Sequence, residues 1–376
     1  MLCHPASVAS DLTHIVDRLI EVGVRPVRLL GPEHGVRGEA QDMIGVDDER
    51  DGRTGIPVTS LYGETFESLT PAAADLEGID VLVVDLQDVG ARYYTYVWTA
   101  ALAMGAAAAA GVAVLVLDRP NPIDGVAIEG GTVRAGYESF VGLGAVPVRH
   151  GLTIGELCRL VAAGMPWGVP RFARPLDVDL TVVPMRGWRR AMTFAETGLP
   201  WVMPSPNMPT PDTALVYPGQ CLFEATNLSE GRGTTRPFEL VGAPFLDGYR
   251  WVAALPPLPG VRMRPLSFRP TFHKFGGRPC GGVQLHVGDR SSFRPYLTGL
   301  ALIAAAHRVA PEQFRWRSEP YEFVADPPAI DLLTGSDEAR RAIEADADVR
   351  DLAAAYAPFE RAFAQQRRPA LLPDYV

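Results

Sequence analysis

The run Ile79-Asp80-Val81-Leu82-Val83-Val84-Asp85-Leu86-Gln87-Asp88 decides the fold. Its apolar stretch is continuous rather than alternating, the pattern of a strand covered on both faces of a parallel sheet. Acids stand where that strand ends. Downstream, 93–111 is Ala-rich and closed by Gly111, which predicts a buried helix with a glycine stop. Residues 112–117 repeat the continuous apolar signature of a second buried strand. Upstream, Leu12, Ile15, Val16, Leu19 and Ile20 fall at helical spacing over 11–22, with Ser10 or Asp11 as cap. Short strands are expected at 27–30 and 57–61. Thr153 with Glu156 three residues on predicts a capped helix over 153–163, and 180–183 closes the series. This strand–helix alternation implies α/β architecture with a mostly parallel sheet covered on both sides.

Six prolines within 200–218 interrupt the pattern. Beyond them, strands are expected at 261–268 and 282–287, and helices at 293–309, 338–344 and 349–364. The expected organisation is an α/β domain over 1–205, a Pro-rich connector over 206–218, and a smaller α+β domain over 219–376. A chain of 376 residues has the length of two domains.

Composition narrows the partners. Hydrophobic residues make up 47% and charged residues 21%, an ordinary globular balance. A net charge of -9 argues against nucleic acid, whose phosphates call for a basic surface. Lys274 is the single lysine, so nearly every cation is a planar guanidinium, a shape suited to carboxylates. Cys3, Cys158, Cys221 and Cys280 are widely separated and read as buried free thiols rather than a zinc site or a disulfide framework. No apolar run is long enough for a membrane span. No export signal is visible, which reads as a cytoplasmic chain; a signal upstream of Met1 would make it exported or periplasmic. The oligomeric state is not legible.

In an open parallel sheet, ligands bind beyond the carboxyl ends of the strands. Three expected strands end in Gly31-Pro32-Glu33-His34-Gly35, in Asp85 with Gln87 and Asp88, and in Asp118-Arg119-Pro120-Asn121-Pro122. Clustered acids are costly to bury unless paired or functional. Glu33 is the first candidate for a catalytic acid, because a proline and two glycines fix its turn and because Asp85 and Asp118 are expected to crowd it and raise its pKa. His34 orients Glu33, contacts substrate or holds a metal. Arg37, Gln87, Arg92, Tyr94 and Asn121 are candidate substrate contacts on the same edge. Asn207 sits in a rigid Pro-flanked turn. Asn227, Glu230, Arg232 and Arg236 lie in a glycine-rich polar segment over 224–237 that reads as a substrate loop. His150 fits a packing role or a site role equally, and His273 reads as structural. No HxH or HExxH spacing is present, so no metal is expected. GxGxxG, GxxxxGK[ST] and GxSxG are all missing, so the commonest cofactors of such folds have no signature.

These residues fall in ordered blocks. They are Gly31–Gly35, Thr54–Val58, Ser60–Gly63, Asp85–Tyr96, Leu117–Pro122, Ser139–Gly142, His150–Leu157, Pro204–Thr210 and Asn227–Glu239. Together they resemble the NamZ/YbbC-type exo-β-N-acetylmuramidases. The resemblance implies a Rossmann-like domain, a smaller C-terminal domain, and an active cleft between them. It implies release of N-acetylmuramic acid from the non-reducing end of peptidoglycan fragments, with Glu33 at the catalytic glutamate and no cofactor. The chain departs from the family's TNPA-type turn near the start, where it has Cys3-His4-Pro5-Ala6.

On that reading Glu33 protonates the leaving oxygen of an oxocarbenium-like transition state. The second group is Asp85, Asp118 or Glu230, or else the sugar's own N-acetyl group. Arg92, Arg232 and Arg236 are the candidates for reading the lactyl carboxylate. Two other classes fit less well. A muropeptide- or carbohydrate-binding protein gains little from clustered acids. A metal-dependent hydrolase would use Asp85, Asp118 and His34.

Overall fold

The computed structural model describes residues 1–36 and 49–375. Arg37 lies outside the described residues. The chain divides into two units, the first comprising Met1–Ala127, Gly151–Pro211 and Gln366–Val376, the second Ile128–His150 and Asp212–Gln365. One boundary falls at Pro211, and residues 128–150 and 366–376 each belong with the unit remote from them in sequence. Backbone bonding explains why. Residues in 128–150 bond within the second unit, where Leu297 N–H donates to Glu129 Oε1 at 2.9 Å and Arg134 N–H to Gly335 O at 2.8 Å. The final segment bonds within the first, where Arg367 reaches Gly151 O and Val126 O at 2.5 and 3.0 Å.

The first unit is built on a seven-stranded sheet. Its strands are β1 (Leu2–Cys3), β2 (Leu29–Gly31), β3 (Glu49–Arg50), β4 (Pro57–Ser60), β5 (Val81–Asp85), β6 (Ala113–Leu117) and β7 (Leu180–Val183), in the order β3-β4-β2-β1-β5-β6-β7. All neighbours pair parallel except the edge strand β3. The expected α/β class with a mostly parallel sheet is therefore what the chain adopts. β1 is only two residues long, yet it lies at the centre, with Leu2 opposite both Leu30 and Val84. From β1 the chain runs outward through β2 and β4, then resumes on the other flank through β5, β6 and β7. The order thus reverses beside β1, and the loops leaving β1 and β5 diverge to form the crevice where such folds bind ligands.

The helices of this unit follow from sequence. α1 is Ile15–Glu21 and α2 is Ala73–Leu76. α3 (Tyr96–Ala110) is buried along most of its length, including Trp98, and ends on Gly111 with φ 68, a left-handed cap that glycine takes without strain. α4 (Ile154–Ala163) has the expected reciprocal cap: Glu156 N–H donates to Thr153 Oγ1, and Thr153 N–H to Glu156 Oε2.

The second unit holds a three-stranded antiparallel sheet in the order β8 (Leu240–Ala243), β10 (Cys280–Val287), β9 (Val261–Phe268). α5 (Pro211–Gln220), α6 (Gly248–Ala253) and α7 (Pro295–Val309) are its first helices. Gly219 and Gly299 allow α5 and α7 to touch backbone to backbone, since a Cβ on Gly219 would lie 1.9 Å from Pro295 O. The helix expected over 349–364 is broken at Tyr356 into two shorter ones. Among the described residues, no helix is long and apolar enough to cross a membrane.

Candidate functional site

The carboxyl end of β2 runs straight into Pro32-Glu33-His34-Gly35. His34 (φ 72) and Gly35 (φ 79) are both left-handed, and Gly35 N–H donates to Pro32 O at 2.9 Å, so the turn is tightly fixed. Glu33 is 7% exposed. Thr95, just before α3, donates to its Oε2 at 2.8 Å. Among the described residues its Oε1 takes no bond. One oxygen is therefore held by a neutral donor in a fixed turn, an arrangement that suits proton delivery.

Around this turn the ends of neighbouring strands are tied together. His4, directly after β1, is fully buried. Gln87 N–H donates to its Nε2 at 2.9 Å, so Nδ1 carries the proton that reaches Pro204 O at 3.3 Å. Burial, with the Arg119 charge behind it, pushes the His4 pKa down to about 3, and the ring stays neutral. Tyr96 donates to the same Pro204 O at 2.6 Å and packs edge-on against both His4 and Tyr94. The departure from the TNPA-type turn is thus filled by an imidazole linking β1, the β5 end and the segment at Pro204. Sequence reading did not single out His4, Thr95 or Arg119. The signal available for Thr95 was its place at the start of a helix following an acidic strand end.

The other predicted acids are not gathered on Glu33. Asp85 is paired with Arg119, whose Nε and Nη2 reach both carboxylate oxygens while Nη2 also donates to Val8 O. Asp118 sits on the start of α4, accepting from Thr153 Oγ1 at 2.7 Å, Gly155 N–H at 2.8 Å and the Tyr375 hydroxyl at 2.6 Å. Burial raises its pKa to about 6 against those three donors, and the Glu156 charge adds to the rise. The expected crowding of Glu33 gives way to local partners for each acid, because a buried carboxylate is held most cheaply by the nearest cation or helix N–H groups. A cavity of about 330 Å³ opens at the ends of β5, β6 and β7, with Asp85, Asp118, Arg119, Met185 and Trp188 in its wall and Glu33 outside it. Asp85, Asp118 and His34, needed together by a metal-dependent hydrolase, form no ligand group among the described residues.

The remaining candidates on this unit are mostly fastened to backbone. Gln87 Nε2 donates to Asp88 O and Pro120 O at 2.7 and 2.8 Å. Asn121 donates to Leu152 O and accepts from Ile123 N–H. Arg92 is fully buried. Tyr94 is buried, its ring packs edge-on against Tyr96, and burial pushes its phenol far above the ordinary range. Asn207 is 7% exposed in the turn closed by Met208 N–H on Ser205 O.

In the second unit the polar segment forms its own network. Asn227 uses its amide on Gln313 O and Arg315 N–H. Glu230, fully buried, faces Lys274 at 3.0 Å, His273 at 3.1 Å and Arg232 at 3.3 Å. Burial opposes ionisation there, but Lys274, His273 and Arg232 outweigh it and hold the carboxyl well below its ordinary pKa. Arg232 also binds Glu224 at 2.7 Å, and Tyr321 donates to Glu224 at 2.6 Å. Arg236 is the open member: its side chain is 45% exposed, it is bonded to Glu239 through Nη1 alone, and it borders a cavity of about 250 Å³ with Glu239, Gln284 and His286.

The first unit thus combines a mostly parallel Rossmann-like sheet, its switch beside β1, with a glutamate held in a rigid turn at a strand end. Residues 1–212 match the model for the N-terminal part of the exo-beta-N-acetylmuramidase NamZ, and residues 215–372 the model for its C-terminal part. The chain belongs to the exo-beta-N-acetylmuramidase NamZ family. It is 43% identical over 375 residues to the peptidoglycan beta-N-acetylmuramidase NamZ of Bacillus subtilis (strain 168), covering 99% of this chain and 86% of that relative. Two crystal structures of DUF1343 family proteins from Bacteroides fragilis NCTC 9343 share the fold. One is 32% identical with a TM-score of 0.84, covering 97% of this chain and 92% of that one. The other is 30% identical with a TM-score of 0.76, covering 99% and 92%.

Proposed function

We propose that the chain releases N-acetylmuramic acid from the non-reducing ends of peptidoglycan fragments, with Glu33 as the general acid. The observation that carries this reading is the Glu33 carboxylate, fixed through Oε2 by Thr95 in a rigid turn at the carboxyl end of β2, with Oε1 taking no bond among the described residues. Family membership over nearly the whole chain supplies the reaction class, and the Bacillus subtilis relative's name supplies the substrate.

Glu33 gives its proton to the glycosidic oxygen as the bond to C1 breaks. A second group must meet the positive charge at C1. Asp85 is paired with Arg119, Asp118 is held by α4 and Tyr375, and Glu230 faces Lys274, Arg232 and His273. Their engagement favours attack by the substrate's own acetamido oxygen, forming an oxazolinium. Water then adds at C1, losing its proton to the Glu33 carboxylate. Arg236, with most of its donors open, is the better candidate for the lactyl carboxylate than the buried Arg92 or the doubly paired Arg232.

The decisive assay is hydrolysis of a chromogenic β-N-acetylmuraminide beside the matching glucosaminide. Release from the muraminide alone is the expected result. Equal hydrolysis of both, or of neither, overturns the assignment.

A further inference from the structure

Lys274 is the one ammonium in a chain whose other basic side chains of this kind are all guanidinium. Its Nζ donates to Phe223 O at 2.9 Å, Leu228 O at 3.1 Å and Glu230 Oε2 at 3.0 Å. That satisfies all three of its N–H groups. The three acceptors surround a single nitrogen, a tripod that a planar fork does not match. The segment carrying Lys274 joins β9 to β10, and its backbone is unusual. His273 (φ 63) and Phe275 (φ 60), on either side, are both left-handed without being glycine. Such residues are strained and persist where surrounding contacts over-determine them.

Those contacts all lead to the polar loop. Thr271 N–H and Oγ1 both donate to Gly233 O at 2.9 Å. His273 Nδ1 lies 3.1 Å from Glu230 Oε1. Gly233 (φ 79) admits no side chain, since a Cβ would lie 2.7 Å from Phe272 O. The β9–β10 connection and the 223–233 segment are therefore locked at four points, and Lys274 supplies the only one that joins three places on the loop.

We propose that Lys274 is a positioning residue for substrate recognition, its ammonium gathering Phe223, Leu228 and Glu230 so that the loop leading to Arg236 keeps one conformation. This rests on the reading of that loop as substrate-contacting. Lys274 does not touch the sugar; it sets where Arg232 and Arg236 stand. Replacing it by arginine keeps the charge but breaks the tripod. Replacing it by methionine also removes the leading cation from Glu230, leaving Arg232 and the His273 imidazole facing it.

The test uses the full chain, with chromogenic muraminide and glucosaminide as probes. K274R is expected to raise KM for the muraminide roughly 5- to 20-fold and to erode the muramyl preference, with kcat within about twofold, since a displaced loop weakens binding without touching Glu33. K274M is likewise expected to raise KM for the muraminide and to erode the muramyl preference, with kcat again within about twofold. A change in kcat alone, wild-type KM and preference in both variants, or failure of both to fold overturns the proposal. R236A separates the two readings. If R236A leaves the muramyl preference intact, the loop reading falls and this inference with it; if R236A abolishes preference while K274R and K274M behave as wild type, only the role of Lys274 falls.

Discussion

Thr95 Oγ1 donates a 2.8 Å hydrogen bond to Glu33 Oε2, joining the start of α3 to the turn after β2. A neutral donor on one oxygen fixes the carboxyl plane without consuming the charge or the second oxygen. The Glu33→Gln variant should therefore bind substrate normally and lose about 10²- to 10⁴-fold in kcat, the usual worth of a general acid. Thr95→Val should lose roughly 10- to 100-fold, equivalent to about 1.5–3 kcal/mol for a bond to a charged group, with KM preserved. Steady-state kinetics on the muraminide check both. Near-normal turnover in Glu33→Gln would falsify the acid assignment.

If the acetamido oxygen attacks C1, a muramyl thiazoline, which mimics the bicyclic intermediate, should bind at least 10²-fold more tightly than the product sugar. Competitive inhibition measures this. Affinity no better than that of free N-acetylmuramic acid points instead to a protein nucleophile or base.

Asp118 gives a pH signature in stability. Its folded pKa, about 6, lies above its ordinary 3.8. Between those values the native state holds more protons than the unfolded state, so stability falls as pH rises through this window. The loss attributable to Asp118 is roughly 3 kcal/mol, complete above pH 6. Denaturant titrations of wild type and Asp118→Asn at pH 4, 5, 6 and 7 should show the wild-type advantage shrinking by that order across the series. A constant difference would remove Asp118 as the source.

Arg232 and Arg236 should separate cleanly. Arg232 is 7% exposed and shared by Glu224 and Glu230, so Arg232→Ala leaves two buried carboxylates underpaired and should cost about 3–5 kcal/mol in stability. Arg236→Ala should leave the melting temperature within a few degrees and instead lower the preference for muramyl over glucosaminyl substrate by at least tenfold. Calorimetry and paired kinetics distinguish them, and the reverse pattern would exchange their roles.

The parallel sheet was legible because β5 and β6 are continuous apolar runs, and the α4 cap because Thr153 and Glu156 carry a local signal. β1 was legible only in part, since two residues contain no periodicity and its central place comes from pairing on both sides. β8, Leu-Val-Gly-Ala, was missed for the same reason: its short span is defined by β10 across from it. At the site, Glu33 could be picked from its Pro- and Gly-framed turn. The partners of Asp85 and Asp118 could not, because Arg119 and Tyr375 lie 34 and 257 residues away and sequence spacing says nothing of such encounters. The Lys274 tripod was equally hidden: the sequence showed a lone lysine, but not the three oxygens converging on it.

The imidazole of His4 accepts an amide hydrogen on one nitrogen and donates its own from the other, and with a pKa pushed down to about 3 it remains uncharged near neutral pH. A histidine in such a place would ordinarily be the first suspect for any inflection between pH 5 and 8 in the rate profile. Here that inflection must be sought elsewhere, and this ring is a fixed rivet rather than a sensor.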